Sequence, residues 1–273
     1  MTVFTPAQRF LSLLALMCAI TTVPSHAQSV DWSQALAGEH RSDANKARDP
    51  YRHPAETLDF FGVTPTSTVL EMYPGGGWYT EILAPVLSNS GTLYAAHMGV
   101  NESPYARRSL GAFLSKIGAN NDVYKSVVVT EFNPPESLAI APPNSVDVAL
   151  AFRNLHSWIR LNTIEKAFMA VYDSLKPGGV FGIVQHRGNP GMTVEQMKNS
   201  GYVTEAYAIE LAELVGFELV AKSEINANPK DTKDYENGVW TLPPSYRLGD
   251  QDREKYEAIG ESDRMTLKFR KPE

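Results

Sequence analysis

Three histidines stand at or just beyond the ends of apolar runs. His97 closes Gly91–His97, His156 follows the run Ser145–Phe152, and His186 follows Val180–Val184. Imidazole titrates near pH ~6.5, so a histidine in a cleft can accept a proton as a nucleophile attacks. Arg153 and Asn154 lie directly before His156, and Arg187 directly after His186. A guanidinium forks onto an anion, and an amide both donates and accepts. A lone loop histidine is ordinarily a satisfied polar residue; three at strand ends form a constellation. Two chemistries compete for it. In one, His156 or His186 is a general base and Arg153 orients an anionic substrate. In the other, the histidines and a carboxylate such as Glu71 hold a divalent metal for hydrolysis. The sequence separations show no ligand spacing, so no metal is expected.

The elements that position these residues alternate. Val69 to Met72 is a short apolar run carrying Glu71; Tyr73-Pro74-Gly75-Gly76-Gly77 is a turn; Trp78 to Leu83 begins a helical pattern. Strand, tight loop and helix in that order form the unit that holds a nucleotide-like ligand at a helix N-terminus. Glycines there let backbone approach the ligand and supply positive φ without a Cβ penalty. Further strands follow at Gly91–His97, Val127–Phe132, Ser145–Phe152 and Val180–Val184. Helices are expected over 101–121, over a stripe from Leu161 to Leu175, and from about Val203 to Val215. Pro85 should kink or end the helix after the glycine loop. Phe217–Ser223 and Met265–Arg270 are two last strands without an ordinary helix between them, which predicts a parallel sheet with an antiparallel addition. Ligands of such sheets sit beyond the carboxyl ends of the strands, where Glu71, His97, Arg153, Asn154, His156 and His186 all fall.

The stretch from Glu71 to Gly77 resembles motif I of class I S-adenosylmethionine-dependent methyltransferases, an acid followed after one residue by Gly-x-Gly-x-Gly. Glu71 is the acid, Tyr73 stands where the first glycine belongs, and Gly75 and Gly77 fill the others. Leu175-Lys176-Pro177-Gly178-Gly179, Asp147 at the start of the fourth strand and Leu211–Phe217 are further marks of that family. The resemblance covers roughly Val63 to Arg270. It implies a Rossmann-like α/β fold with a mostly parallel seven-stranded sheet, an antiparallel last strand and an N-terminal helical arm. It also implies S-adenosylmethionine as cofactor, held by Glu71, Tyr73, Gly75, Gly76, Gly77 and the end of strand two. Family members usually place Asp or Glu at that last position for the ribose hydroxyls; here it is His97. The arm before motif I is implied to cross the open end of the sheet, which would bring Tyr51, Arg52 and His53 to a small-molecule substrate, with Asn154 facing them. The whole chain is also similar to a group of exported bacterial proteins of predicted methyltransferase type, on Tyr51–Pro54, Tyr73–Glu81, Ile225–Asp231, Gly238–Pro244 and Gly260–Met265. That similarity implies no substrate.

Export is also written at the N-terminus. Arg9, the apolar run Phe10–Ile20 and Ser25-His26-Ala27 make a basic region, an apolar core and a small-x-small cleavage site, so residues 1–27 read as a signal peptide. The apolar run is too short to anchor the chain in a membrane. Met17 before Cys18 argues against a lipoprotein. Cys18 is the chain's one cysteine, so the processed protein has no disulfide, thiolate metal site or cysteine nucleophile. The formal net charge of −6 argues against nucleic acid as a partner. The expected organisation is a leader at 1–27, an arm at 28–62, and a methyltransferase-like domain at 63–273 with a long polar insert at 224–263, acting in the periplasm.

Overall fold

The computed structural model describes Met1 and residues 30–273; the expected signal peptide lies outside the described residues. Seven runs pair into one sheet: β1 (Thr68–Met72), β2 (Thr92–Met98), β3 (Val127–Phe132), β4 (Val146–Phe152), β5 (Leu175–His186), β6 (Glu218–Ser223) and β7 (Arg264–Arg270). Their order is β3-β2-β1-β4-β5-β7-β6, and β7 runs antiparallel to both its neighbours while the others are parallel. This is the Rossmann-like class I methyltransferase fold. Alternation along β1 sends Val69 into one core layer and Leu70 and Met72 into the other, so both faces of the sheet are covered. The chain leaves β1 toward β2 and β3, then returns to β4 on β1's other side. The order therefore reverses between β1 and β4, and a crevice opens beyond their carboxyl ends.

Four short helices build the arm: α1 (Ser33–Ala37), α2 (Asp43–Lys46), α3 (Asp49–Arg52) and α4 (Pro54–Phe61). Buried Glu81 anchors it, accepting from Asn45 and pairing with Arg41 and Lys116. Glu81 belongs to α5 (Thr80–Leu87), which follows the glycine loop and stops two residues after Pro85. Pro54 opens α4 and Gly62, at φ 83°, closes it, while Leu58 and Phe61 are fully buried. Phe61 packs on β5 at Gly182, where an added Cβ would lie 2.7 Å from the ring. A buried ring has little room to retreat, so Gly182→Ala should destabilise the protein by about 1–3 kcal/mol, read from a urea midpoint. An unchanged midpoint would mean the arm is loosely docked.

The remaining helices are α6 (Pro104–Ala119), α7 (Asn121–Tyr124), α8 (Leu155–Arg160), α9 (Ile164–Ser174), α10 (Val194–Ser200), α11 (Glu205–Val215) and α12 (Arg253–Ile259). Three features depart from the sequence expectation. The stripe expected from Leu161 becomes helical only at Ile164: a separate short helix, α8, precedes it, Asn162 takes φ 56° between α8 and α9, and Leu161 is left 45% exposed instead of joining the core. The Lys-Pro-Gly-Gly segment is the bulged start of a long β5, because Gly178, at φ 75°, donates to the Lys271 carbonyl beyond β7. α10 was not expected; Thr193 and Gln196 form a capping box that starts it. Among the described residues, no helix is long and apolar enough to cross a membrane.

Candidate functional site

The loop after β1 must turn within a few residues, and its backbone shows how. Tyr73, Gly75 and Gly77 have φ of 46°, 58° and 78°, the left-handed region that costs a non-glycine residue roughly 1–2 kcal/mol. Tyr73 therefore sits where glycine would be free of strain. Its ring packs on Phe132 and Trp158, and its hydroxyl donates to the Phe132 carbonyl at 3.3 Å. A Cβ on Gly75 or Gly76 would meet nothing within 4 Å, whereas one on Gly77 would meet the Phe113 ring at 3.1 Å. Gly75 and Gly76 thus bare their backbone to a cavity of about 640 Å³ at the sheet's crevice, and Gly77 faces α6 instead. Glu71 reaches the same cavity. The Thr80 hydroxyl donates to its carboxylate at 2.6 Å, and burial pushes its pKa up to about 7.

Strand β2 contributes differently from the expectation. His97 is fully buried beneath the loop, and its Nε2 donates to the Gly75 carbonyl at 3.3 Å. It does not line the cavity; it supports the loop from below. The carboxylate on this side is Glu102, four residues past the end of β2, raised by burial and lying next to Ser103 and Tyr105 on the cavity wall.

From the other side of the crevice come the residues after β4 and at the end of β5. The Asn154 amide donates to the Met72 carbonyl at 2.5 Å, tying the end of β4 to the end of β1. The rings of His156 and His186 are 5.7 Å apart. The Gln185 amide nitrogen donates to the Gly201 carbonyl at 3.0 Å and to His156 Nδ1 at 3.1 Å, which leaves the neutral imidazole's hydrogen on Nε2. His186 Nδ1 shares a short hydrogen bond with the Ser262 hydroxyl. Burial pushes His156 down to about 4, and burial with Arg264 pulls His186 well below its usual value, so both are neutral at pH 7. Trp240 and Pro243, from the 224–263 insert, complete this wall.

A cluster of guanidinium groups occupies the end of the cavity under the arm. Buried Glu261 takes Arg48 Nε at 2.5 Å and Arg52 Nε at 3.3 Å, and pairs with Arg264 as well. Arg52 also lies over the Trp78 ring, 4.5 Å from its centroid. Arg153, at φ 62°, joins the cluster from the end of β4; burial, then Arg264 and Arg48, bring its pKa to about 10. Burial, then Arg153, holds Arg52 well below the usual guanidinium value. Arg48, Arg52, Arg153 and Arg264 all line the cavity.

The structure thus gathers Glu71, Tyr73, Gly75, Gly76, Arg52, Arg153, Asn154, His156 and His186 around one cavity. It does not bring Gly77, His97, Tyr51 or His53 to that wall. Tyr51 is exposed, with its ring beside Gly260, and His53, at φ 40°, forms the corner between α3 and α4. Sequence reasoning missed Arg48, Arg264, Glu261, Glu102 and Trp240. Glu261 and Arg264 lie in the stretch Gly260–Met265, and Trp240 in Gly238–Pro244, which carried the group resemblance without a role for these residues. Among the described residues, no three His, Cys, Asp or Glu side chains are grouped as metal ligands.

No protein-family model matches the chain, and no curated protein matches it. Solved structures share its fold. One is a SAM-dependent methyltransferase from Aquifex aeolicus, 17% identical, covering 82% of this chain and 92% of its own, with a TM-score of 0.53. Another is the [4+2]-cyclase SpnF, 15% identical over 86% of each chain, with a TM-score of 0.58.

Proposed function

We propose that the protein is an S-adenosylmethionine-dependent methyltransferase of the exported bacterial group, acting on a small molecule in the periplasm. One observation carries this reading: the cavity opens where the strand order reverses, on the bare backbone of Gly75 and Gly76. The residues fit an adenosyl ligand. Glycine backbone admits close approach, Tyr79 and Phe152 stack as an aromatic pair on the wall, and Glu71 and Glu102 offer carboxyl groups. The volume falls within the roughly 300–1,000 Å³ typical of small-molecule sites. The methyltransferases of this fold lend support, while the cyclase marks the fold alone as insufficient.

When bound, the cofactor supplies an electrophilic methyl group on a sulfonium. The chain supplies the rest. Gln185 donates to His156 Nδ1, so His156 carries its hydrogen on Nε2 and is a donor; His186 is bonded to the Ser262 hydroxyl through Nδ1 and, in the tautomer with its hydrogen there, offers Nε2 as the proton acceptor. Gln185 is a positioning residue that fixes the His156 tautomer, and Ser262 orients the His186 ring. The arm lends Arg48 and Arg52 to the cavity wall, and the insert lends Trp240 and Pro243.

Calorimetry of the processed protein against S-adenosylmethionine and S-adenosylhomocysteine tests the reading. Saturable binding of both is expected; no heat from either would overturn it. A second reading, a protein of this fold that holds a small ligand without methyl transfer, is favoured by the low basicity of His156 and His186. Mass spectrometry of ligand carried through purification separates the two. Export predicts that the purified N-terminus is Gln28; material beginning at Met1, or held in the membrane, would count against it.

A further inference from the structure

At the end of the cavity under the arm the charges do not balance. Arg48, Arg52, Arg153 and Arg264 meet there, and Glu261 is the carboxylate paired with Arg48, Arg52 and Arg264. Arg52 and Arg264 are 3% and 2% exposed, so water cannot neutralise them cheaply. Arg52 Nη2, Arg264 Nε and Arg48 Nη2 are buried without a hydrogen-bond partner among the described residues. Native proteins seldom leave such donors unmet, and each carries a desolvation cost when it is. Arg153 makes no side-chain ion pair among the described residues, although it lines the same space.

The cofactor of the proposed reaction does not supply the missing charge. Its amino-acid end brings a carboxylate together with an ammonium, and the sulfonium adds a further positive charge. A second ligand must be the anion. We propose that the substrate is a small anionic molecule whose carboxylate, phosphate or phosphonate group is received by the Arg52, Arg153 and Arg264 guanidiniums. This rests on the reading given under Proposed function and names the substrate class for the same site. It also gives the neighbouring histidine a role that depends on substrate. Arg264, Arg153 and Arg52 all oppose protonation of His186. An anion seated among them cancels that field, so the proton acceptor gains basicity when substrate is present.

The test uses the processed full-length protein in low-salt buffer, with inorganic phosphate and succinate as probes, titrated with and without saturating S-adenosylhomocysteine or 5′-methylthioadenosine. At least one probe should bind saturably to the wild type in the presence of either nucleoside. Arg153→Gln should weaken it about tenfold or more, the size of one charge-assisted hydrogen bond. Lys176→Gln, which alters a lysine at the opposite end of the sheet paired with Asp147, should leave it unchanged. Arg52→Lys keeps the charge but loses the fork; it should weaken the probe too, and serves if Arg153→Gln does not fold. Binding of neither probe, or binding that Arg153→Gln and Arg52→Lys leave within twofold, overturns the proposal. So does a probe displaced by S-adenosylhomocysteine but not by 5′-methylthioadenosine, which lacks the amino acid; the arginines would then serve the cofactor's carboxylate. Failure of the nucleosides themselves to bind would instead count against the methyltransferase reading.

Discussion

Gly75→Val is expected to abolish binding of S-adenosylhomocysteine in a protein that still folds. The loss should be about a hundredfold or greater, equivalent to ~2.7 kcal/mol. Two effects combine. At φ 58° a β-branched residue is strained, which costs roughly 1–2 kcal/mol or shifts the loop out of its shape. The new side chain would meet no protein atom from its Cβ outward to 4 Å, so the space it fills is the cavity. Folding should survive for the same reason. Gly77→Val is the contrasting variant, since it strikes Phe113 and should lower stability more than affinity. Circular dichroism and calorimetry on both variants check this. Unchanged affinity in folded Gly75→Val would mean that the loop is only a turn.

Glu261→Gln should be the most destabilising single change at the site, by about 3–5 kcal/mol, because it leaves buried Arg52 and Arg264, and partly exposed Arg48, without their counter-charge. Urea denaturation at pH 7 reads the effect; a loss below ~1 kcal/mol would show that solvent already screens the cluster. The wild type should show the same loss by titration. Burial alone would raise the Glu261 carboxyl, but Arg264, Arg52 and Arg48 outweigh it and hold it well below the usual carboxylate range. A carboxyl depressed by folding contributes fully above its unfolded value, about 4.3, and loses that contribution as pH falls toward the folded value. Wild-type stability should therefore drop from about pH 5 downward, and the gap to Glu261→Gln should narrow over the same window. His156 and His186 act earlier. Both are held neutral by burial, so the unfolded chain takes up their protons first as pH falls below ~6.5, in wild type and variant alike.

Much of this arrangement was legible before any coordinates. The short apolar runs of β1 and β4, the Gly-rich turn and the stripe in α9 specify strand, loop and helix locally. A parallel sheet then has no choice but to bring the ends of β1, β4 and β5 to one edge. Glu71, Arg153, Asn154, His156 and His186 meet for that reason, although 115 residues separate the first from the last. The lack of an ordinary crossover helix in the insert also predicted that β7 would pair antiparallel with β6.

What sequence could not decide is the direction of individual side chains at that edge. His97 occupies the family's ribose position in the chain, yet it is buried under the loop on the Gly75 carbonyl, because Phe113 and Ser109 of α6 build a pocket for it there. Tyr51, Arg52 and His53 are consecutive, but α3 ends between them and only Arg52 points inward, held by Glu261 and Trp78. The arginine cluster itself joins Arg48 and Arg52 of the arm to Glu261 and Arg264, more than 200 positions away. Local propensity and alternation carry no information across that distance. Docking of the arm and the insert over a shared crevice creates the cluster, so the fold and the strand-end histidines belong to the sequence, while the charge that selects the ligand belongs to the tertiary structure.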